Sequence, residues 1–295
     1  MSIFFLQIAF AQERQLSKAD QLRDEGDLST ALIEYAKTFR ENPQNRTNTY
    51  NFACAHALQG QRDSAFHYLH IAVEKDTSVQ ALNDPDFYFL LADPRWANLE
   101  DKLVERVEAK YGKYENLALS KELWRMKVKD QAFYYHIEIS DKKFGYGSTN
   151  TRALWELKSL INKKNVERIT QIINEHGWPK QSEVKGSAAS AVFLIIQHAD
   201  IEIQKKYLPI MKEAANQGEA DWSSLALLID RVNLREGKQQ IYGSQIYRTE
   251  DGKFDVRDLF EPEYVNQRRK EVGLGPIQEY VGRWGIEWTI EQKEK

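Results

Sequence analysis

Cysteine is nearly missing from this chain: its 295 residues hold one, Cys54. No intramolecular disulfide can form, so packing must hold the fold. Cys54 lies in Phe52-Ala53-Cys54-Ala55, a small-residue helical setting in which a thiol serves as packing. No apolar run is long enough to span a membrane. A net charge of -3, with no basic stripe, gives no footprint for nucleic acid. The phosphate-loop and dinucleotide fingerprints are absent as well. Gly145-Tyr146-Gly147 lacks a third glycine and follows no parallel strand, which excludes nucleotide-dependent chemistry. The sequence names no cofactor. What remains is an ordinary globular composition, 42% hydrophobic and 29% charged, long enough for two modest domains.

The first eleven residues are apolar and end in Ala9-Phe10-Ala11 before Gln12-Glu13. This A-x-A pattern resembles a signal-peptide cleavage site, although a basic leading segment is missing. The expectation is a signal-peptide remnant at 1–11 and export to the periplasm or the cell exterior. An apolar helical turn of a cytoplasmic protein is the alternative.

Gly26-Asp27-Leu28-Ser29-Thr30-Ala31 and Gly60-Gln61-Arg62-Asp63-Ser64-Ala65 are one turn written twice, 34 residues apart. Tyr35 and Leu69 follow each alanine by four, and Pro43 closes the first copy. The glycine permits a tight turn between paired helices, and the alanine lets them cross closely. The pattern resembles the tetratricopeptide repeat, which implies a surface for docking a protein or peptide. Asp84-Pro85 and Asp93-Pro94 read as helix starts of a cap, with Asp as N-cap and Pro in the first turn. The repeat region is expected over 14–112.

Beyond Tyr111-Gly112-Lys113-Tyr114, the chain sets polar groups inside apolar runs. Leu119, Leu123, Met126, Asp130, Phe133 and Ile137 trace one helical face that carries Asp130, with Gln131 beside it. Two helices are predicted to follow, separated near 162–165. The second brings His176 onto its apolar side before Gly177 and Pro179 stop it. The next is apolar nearly all round from Ala188 to Ile196 and therefore buried. It delivers Gln197, His198 and Asp200, with Gln204 on the face of Gln197, and Pro209 is expected to break the chain. A helix from Asp221 to near Gly237 carries an apolar run, Leu225 to Ile229, that leads into Asp230-Arg231. Strands over 241–248 and 253–259 flank Glu250-Asp251-Gly252, a hairpin signal. Gly243 there leaves room for close backbone approach.

Asp130-Gln131, His176-Gly177-Trp178-Pro179, Gln197-His198-Ala199-Asp200, Asp230-Arg231 and Tyr242-Gly243-Ser244-Gln245 together resemble an uncharacterised bacterial domain family. It carries HGWP, QHAD, DR and YGTQ motifs, and is often found in exported proteins and sometimes behind tetratricopeptide repeats. Ser244 stands where that family has threonine and keeps the hydroxyl. The resemblance covers 118–282, leaves 283–295 as a tail, and implies a site without naming its chemistry.

The fold expected is mainly α: tetratricopeptide-like helical hairpins followed by an α-helical domain with a small β-hairpin. Its function is read as binding of a ligand or partner at a polar His/Asp/Gln cleft. Candidate binding residues are Asp130, Gln131, Trp178, Gln197, Gln204, Arg231, Tyr242 and Gln245. The alternative is a hydrolase in which His176 or His198, oriented by Asp200 or Asp230, activates water. No serine or cysteine occupies a nucleophile-elbow context. The spacing of the histidines and aspartates matches no metal motif. A buried hydrogen-bond network that only fixes helix order is the bland reading of the same residues.

Overall fold

The computed structural model describes residues 16–295; the segment read as a signal-peptide remnant lies outside the described residues. The described chain is mainly α, with fourteen α-helices and one two-stranded antiparallel sheet. It forms two compact units. Of the described residues, one holds 16–167 together with 183–191; the other holds 168–182 and 192–295.

The first unit opens with two helical hairpins, α1 (Lys18–Asp24) with α2 (Leu28–Glu41), and α3 (Arg46–Leu58) with α4 (Arg62–Ala72). Their starts are written in the sequence. Ser17 closes a capping box with Asp20, Asp27 accepts from Thr30 N at 3.1 Å, and Asn45 from Asn48 N at 3.1 Å. Each cap satisfies backbone donors that have no partner within the helix. The repeated positions do the same work twice: Ala31, Tyr35, Ala65 and Leu69 are all fully buried. Tyr35 packs on Phe52, which stacks in turn against Tyr68. A 3₁₀ turn over Pro85–Leu90 follows, its first amides drawn onto Asp84, and Asp93 accepts from Arg95 N at the head of α5 (Arg95–Tyr111).

The turn glycines look equivalent but are not. Gly26 and Gly60 both sit in the left-handed region, at φ 79° and 77°. A Cβ at Gly26 would stand 2.5 Å from Ile139 Cγ2, whereas one at Gly60 would meet nothing within 4 Å. Alanine at either position carries the backbone penalty of about 1–2 kcal/mol. Gly26→Ala adds a clash with a β-branched side chain, so it should cost at least about 1 kcal/mol more. Urea denaturation of the two variants measures this; equal losses would refute it.

α6 (Leu117–Gln131) and α7 (Tyr134–Phe144) were expected as one continuous face. They are separated because Ala132 is extended and Phe133 adopts φ 72°. Phe133 then packs with Ala132 and Ile137 against Tyr88, Phe89, Leu154 and Trp155. α8 runs unbroken over Thr149–His176, correcting the division expected at 162–165. That stretch has no proline or glycine, and Asn165 turns inward to donate to Met126 O at 3.1 Å. The short α9 (Gln181–Val184) and the buried α10 (Gly186–His198) follow.

In the second unit α11 (Ile201–Asn216) packs on α12 (Trp222–Arg235). α11 passes through Pro209, where a break was expected. Its cap at Asp200 and a buried stripe of Gln204, Tyr207, Met211, Ala214 and Ala215 outweigh one missing ladder bond. The strands are shorter than expected: β1 (Ile246–Arg248) pairs with β2 (Phe254–Val256), Tyr247 opposite Asp255. α13 (Val265–Glu271) and α14 (Ile277–Gly282) close a small core of Val265, Ile277 and Val281, against which Ile246, Val256 and Leu259 pack.

Candidate functional site

The C-terminal half of α12 is the point at which three of the motifs meet. Asp230 is fully buried and accepts from three backbone amides of the following loop. Oδ1 takes Ile241 N at 2.6 Å and Tyr242 N at 3.0 Å; Oδ2 takes Ser244 N at 2.9 Å and Tyr242 N at 3.2 Å. Burial pushes this carboxyl above its usual range, against the pull of the three N–H donors. The outer side of the loop is held as firmly. Arg269, 2% exposed, donates to Tyr242 O at 2.7 Å and Gly275 O at 2.6 Å, and burial lowers its pKa to about 10. Arg268 donates to Ile241 O at 2.9 Å, and Tyr280 Oη to Ser244 O at 2.7 Å. Gln240 and Gln245 bridge the loop ends through the Gln245 amide and carbonyl. Gly243 has φ 66°, and a Cβ there would stand 2.7 Å from Ile277 Cδ1. The close approach read from that glycine is thus made by α14.

Arg231, the next residue of α12, serves the other motif. Its Nη1 donates to Gln197 O at 2.8 Å, and Arg235 Nη1 to Ala199 O at 3.1 Å. Gln204 Nε2 donates to the same two carbonyls, at 2.7 and 3.1 Å. These carbonyls are the open C-terminal end of α10, where cationic groups are stabilised by the helix dipole. Asp200 caps α11 by accepting Ile203 N at 2.9 Å, and His198 beside it is half-buried. Two amide atoms, Gln197 Nε2 and Gln204 Oε1, lack a hydrogen-bond partner among the described residues, although both side chains are at most 1% exposed.

Trp178 and His176 stand elsewhere in this unit. Gly177, at φ 77°, stops α8, and the chain after it faces the second half of α11. An open pocket of about 400 Å³ lies between them. Trp178, Pro209, Ile210 and Ala214 give it apolar walls, and His176, Lys180, Glu213 and Glu219 its charged rim. Glu219 is fixed by Ser182, whose amide and hydroxyl donate at 3.0 and 2.9 Å and hold the carboxyl below its usual range. The His176 side chain is 66% exposed, which corrects its expected place on an apolar face. Ile173, one turn earlier, is the last core residue of α8.

Asp130 and Gln131 belong to the first unit, in the last turn of α6. Gln131 Nε2 donates to Asp130 Oδ2 at 2.5 Å, and the Lys158 ammonium bonds the Asp130 carbonyl. Lys158 is 1% exposed, lies 4.2 Å over the Tyr134 ring, and is brought down by burial to a pKa of about 8. Sequence reasoning passed over Lys158 and Gln240, and gave Arg269 on the final helix no role. The signal for Lys158 was present: Leu154, Lys158, Ile161, Asn165 and Ile169 fall at helical spacing on one stripe. Sequence reasoning also missed a group formed by Cys54, Asp84 and Asp86, whose ligand atoms lie within 4.8 Å of one another and could hold a metal ion.

A family model described as a family of unknown function (DUF6624) matches residues 117–289, which include every motif residue named above. Comparison with curated proteins and with solved structures gives no match.

Proposed function

The chain belongs to that family of unknown function, and from this premise we propose that its family domain is a binding module whose ligand sits in the pocket beside Trp178. The observation that carries the reading is the pocket itself. Its volume falls within the range of small-molecule sites, about 300–1,000 Å³, and it combines apolar walls with a few polar groups at the rim. A ligand with an apolar body and a polar or charged head fits this division, as a short peptide segment does. The alternative of hydrolysis by activated water falls to His176, the histidine that lines this pocket. Asp200 and Asp230, candidates to orient a base, are engaged in a helix cap and a loop anchor.

Two further readings support a role in recognition. The 34-residue spacing of the hairpin turns and their buried Ala31 and Ala65 fit a tetratricopeptide-like interaction domain. The A-x-A pattern at 9–11 fits export.

A ligand-observed NMR screen of dipeptides and aromatic amines tests the pocket. Hits should lose at least tenfold in affinity in Trp178→Ala and in Ile210→Asp, the second variant altering a wall residue that is already 38% exposed. Hits that bind both variants as tightly as the wild type would place the ligand elsewhere. A hydrolytic role would appear as turnover of a hit that is abolished by His176→Ala.

A further inference from the structure

α7 supplies side-chain donors to the carbonyls at the C-terminal end of α1. Tyr135 Oη donates to Arg23 O at 2.8 Å, Lys142 Nζ to Asp24 O at 3.0 Å, and Lys143 Nζ to Gly26 O at 2.9 Å. These carbonyls form the C-terminal end of α1 and its turn, where the helix dipole favours ammonium groups. The rings of Phe133 and His136 pack against Phe89 of the 3₁₀ turn. α7 therefore bonds the end of α1 and packs on the 3₁₀ turn.

The contact has the features of a seat and an occupant. Tyr135, Ile139, Lys142 and Lys143 recur at i, i+4, i+7 and i+8, which is one helical face. The acceptors on the array are backbone carbonyls, so the donor pattern decides what fits. Ile139 fills the space that Gly26 leaves. α7 is bounded by residues in positive-φ conformations, Phe133 at φ 72° and Gly145 at φ 85°, which set it off as a discrete segment.

We propose that the C-terminal end of α1 and its turn is a binding seat for a short helix carrying a tyrosine and a lysine pair at these spacings, and that α7 is its resident occupant. The first hairpin thus grips the family domain in cis, and an external helix of the same pattern reaches the seat only when α7 leaves it. This inference is independent of the pocket beside Trp178.

The test uses the full chain and a labelled peptide with the sequence of residues 133–145. In Tyr135→Ala/Lys142→Glu/Lys143→Glu the cis contact is broken. The peptide should bind this variant at least tenfold tighter than the wild type, whose seat is filled. Hydrogen exchange at residues 18–26 should quicken in the variant and slow again with the peptide. A peptide with both lysines changed to glutamate should do neither. Equal binding to variant and wild type, or no binding to a variant whose residues 18–26 have loosened, would overturn the proposal. If the triple variant also loses protection across α3 and α4, Lys142→Ala alone provides the same comparison.

Discussion

Asp230→Ala should destabilise the family domain by about 4 kcal/mol, the largest loss expected from any single motif residue. The carboxylate is the shared acceptor for three backbone amides, Ile241, Tyr242 and Ser244. A buried donor left without its acceptor costs about 1–3 kcal/mol. Relief from burying a carboxylate offsets part of the sum of three. Asp230→Asn should lie between, because both carboxylate oxygens are in use and an amide supplies only one. The nitrogen of the asparagine would face a donor. Urea denaturation gives the magnitude, and hydrogen exchange gives the place: amides 241, 242 and 244 should lose protection before α12 does. A loss below about 1 kcal/mol in the alanine variant would mean that Arg268, Arg269 and Tyr280 hold the loop without Asp230.

This anchor shows how far a sequence reveals its own site. Polar groups inside apolar runs announced that Gln197, Asp230, Arg231 and Gln245 are buried, and they are. Their partners could not be read, because most are backbone amides and carbonyls. Every residue carries those groups, so they leave no mark on the chain. The motifs also did not announce that they serve two places. The Gln197 and Tyr242 segments share α12, whereas Trp178 faces α11 across a pocket. Helix starts were legible at the two Asp-Pro pairs, where Asp84 and Asp93 accept first-turn amides. Breaks were less so. Pro209 failed to interrupt α11, and Phe133 interrupted a stripe that looked continuous, because packing overrode local preference at both positions.

A common physical pattern runs through these residues. Arg231, Arg235 and Gln204 close the end of α10, Lys158 bonds the last turn of α6, and Tyr135, Lys142 and Lys143 close α1. Side chains from distant positions repeatedly supply donors to helix ends. Where they do, the order of the helices is set by hydrogen bonds as well as by apolar packing. The orphaned amide atoms of Gln197 and Gln204 lie within one such closure.

The second large effect should be a dependence of the helical array on pH through Asp86. Its carboxyl lies with Asp84 and Cys54, facing Tyr50 from α3 and Arg23 and Asp24 from α1. Burial, then the neighbouring Asp84 carboxylate, raises Asp86 from 3.8 to about 7, while Arg23 pulls in the opposite direction. Burial raises Asp84 as well. The unfolded chain gives up the Asp86 proton near pH 3.8, whereas the folded chain keeps it to about 7. Folding stability should therefore fall as pH rises between those values and level off above. Each pH unit in that window is nominally about 1.4 kcal/mol. Asp86 is only half-buried as a residue, and solvent screening reduces the total to about 2 kcal/mol. Asp86→Asn has no proton to lose. It should match the wild type near pH 4 and exceed it by about 2 kcal/mol at pH 8. Hydrogen exchange at α3 and residues 85–90, corrected for intrinsic rates, measures both curves. Wild-type and variant stabilities that run parallel from pH 4 to 8 would show that Asp86 ionises freely in the fold, with Arg23 meeting its charge in full.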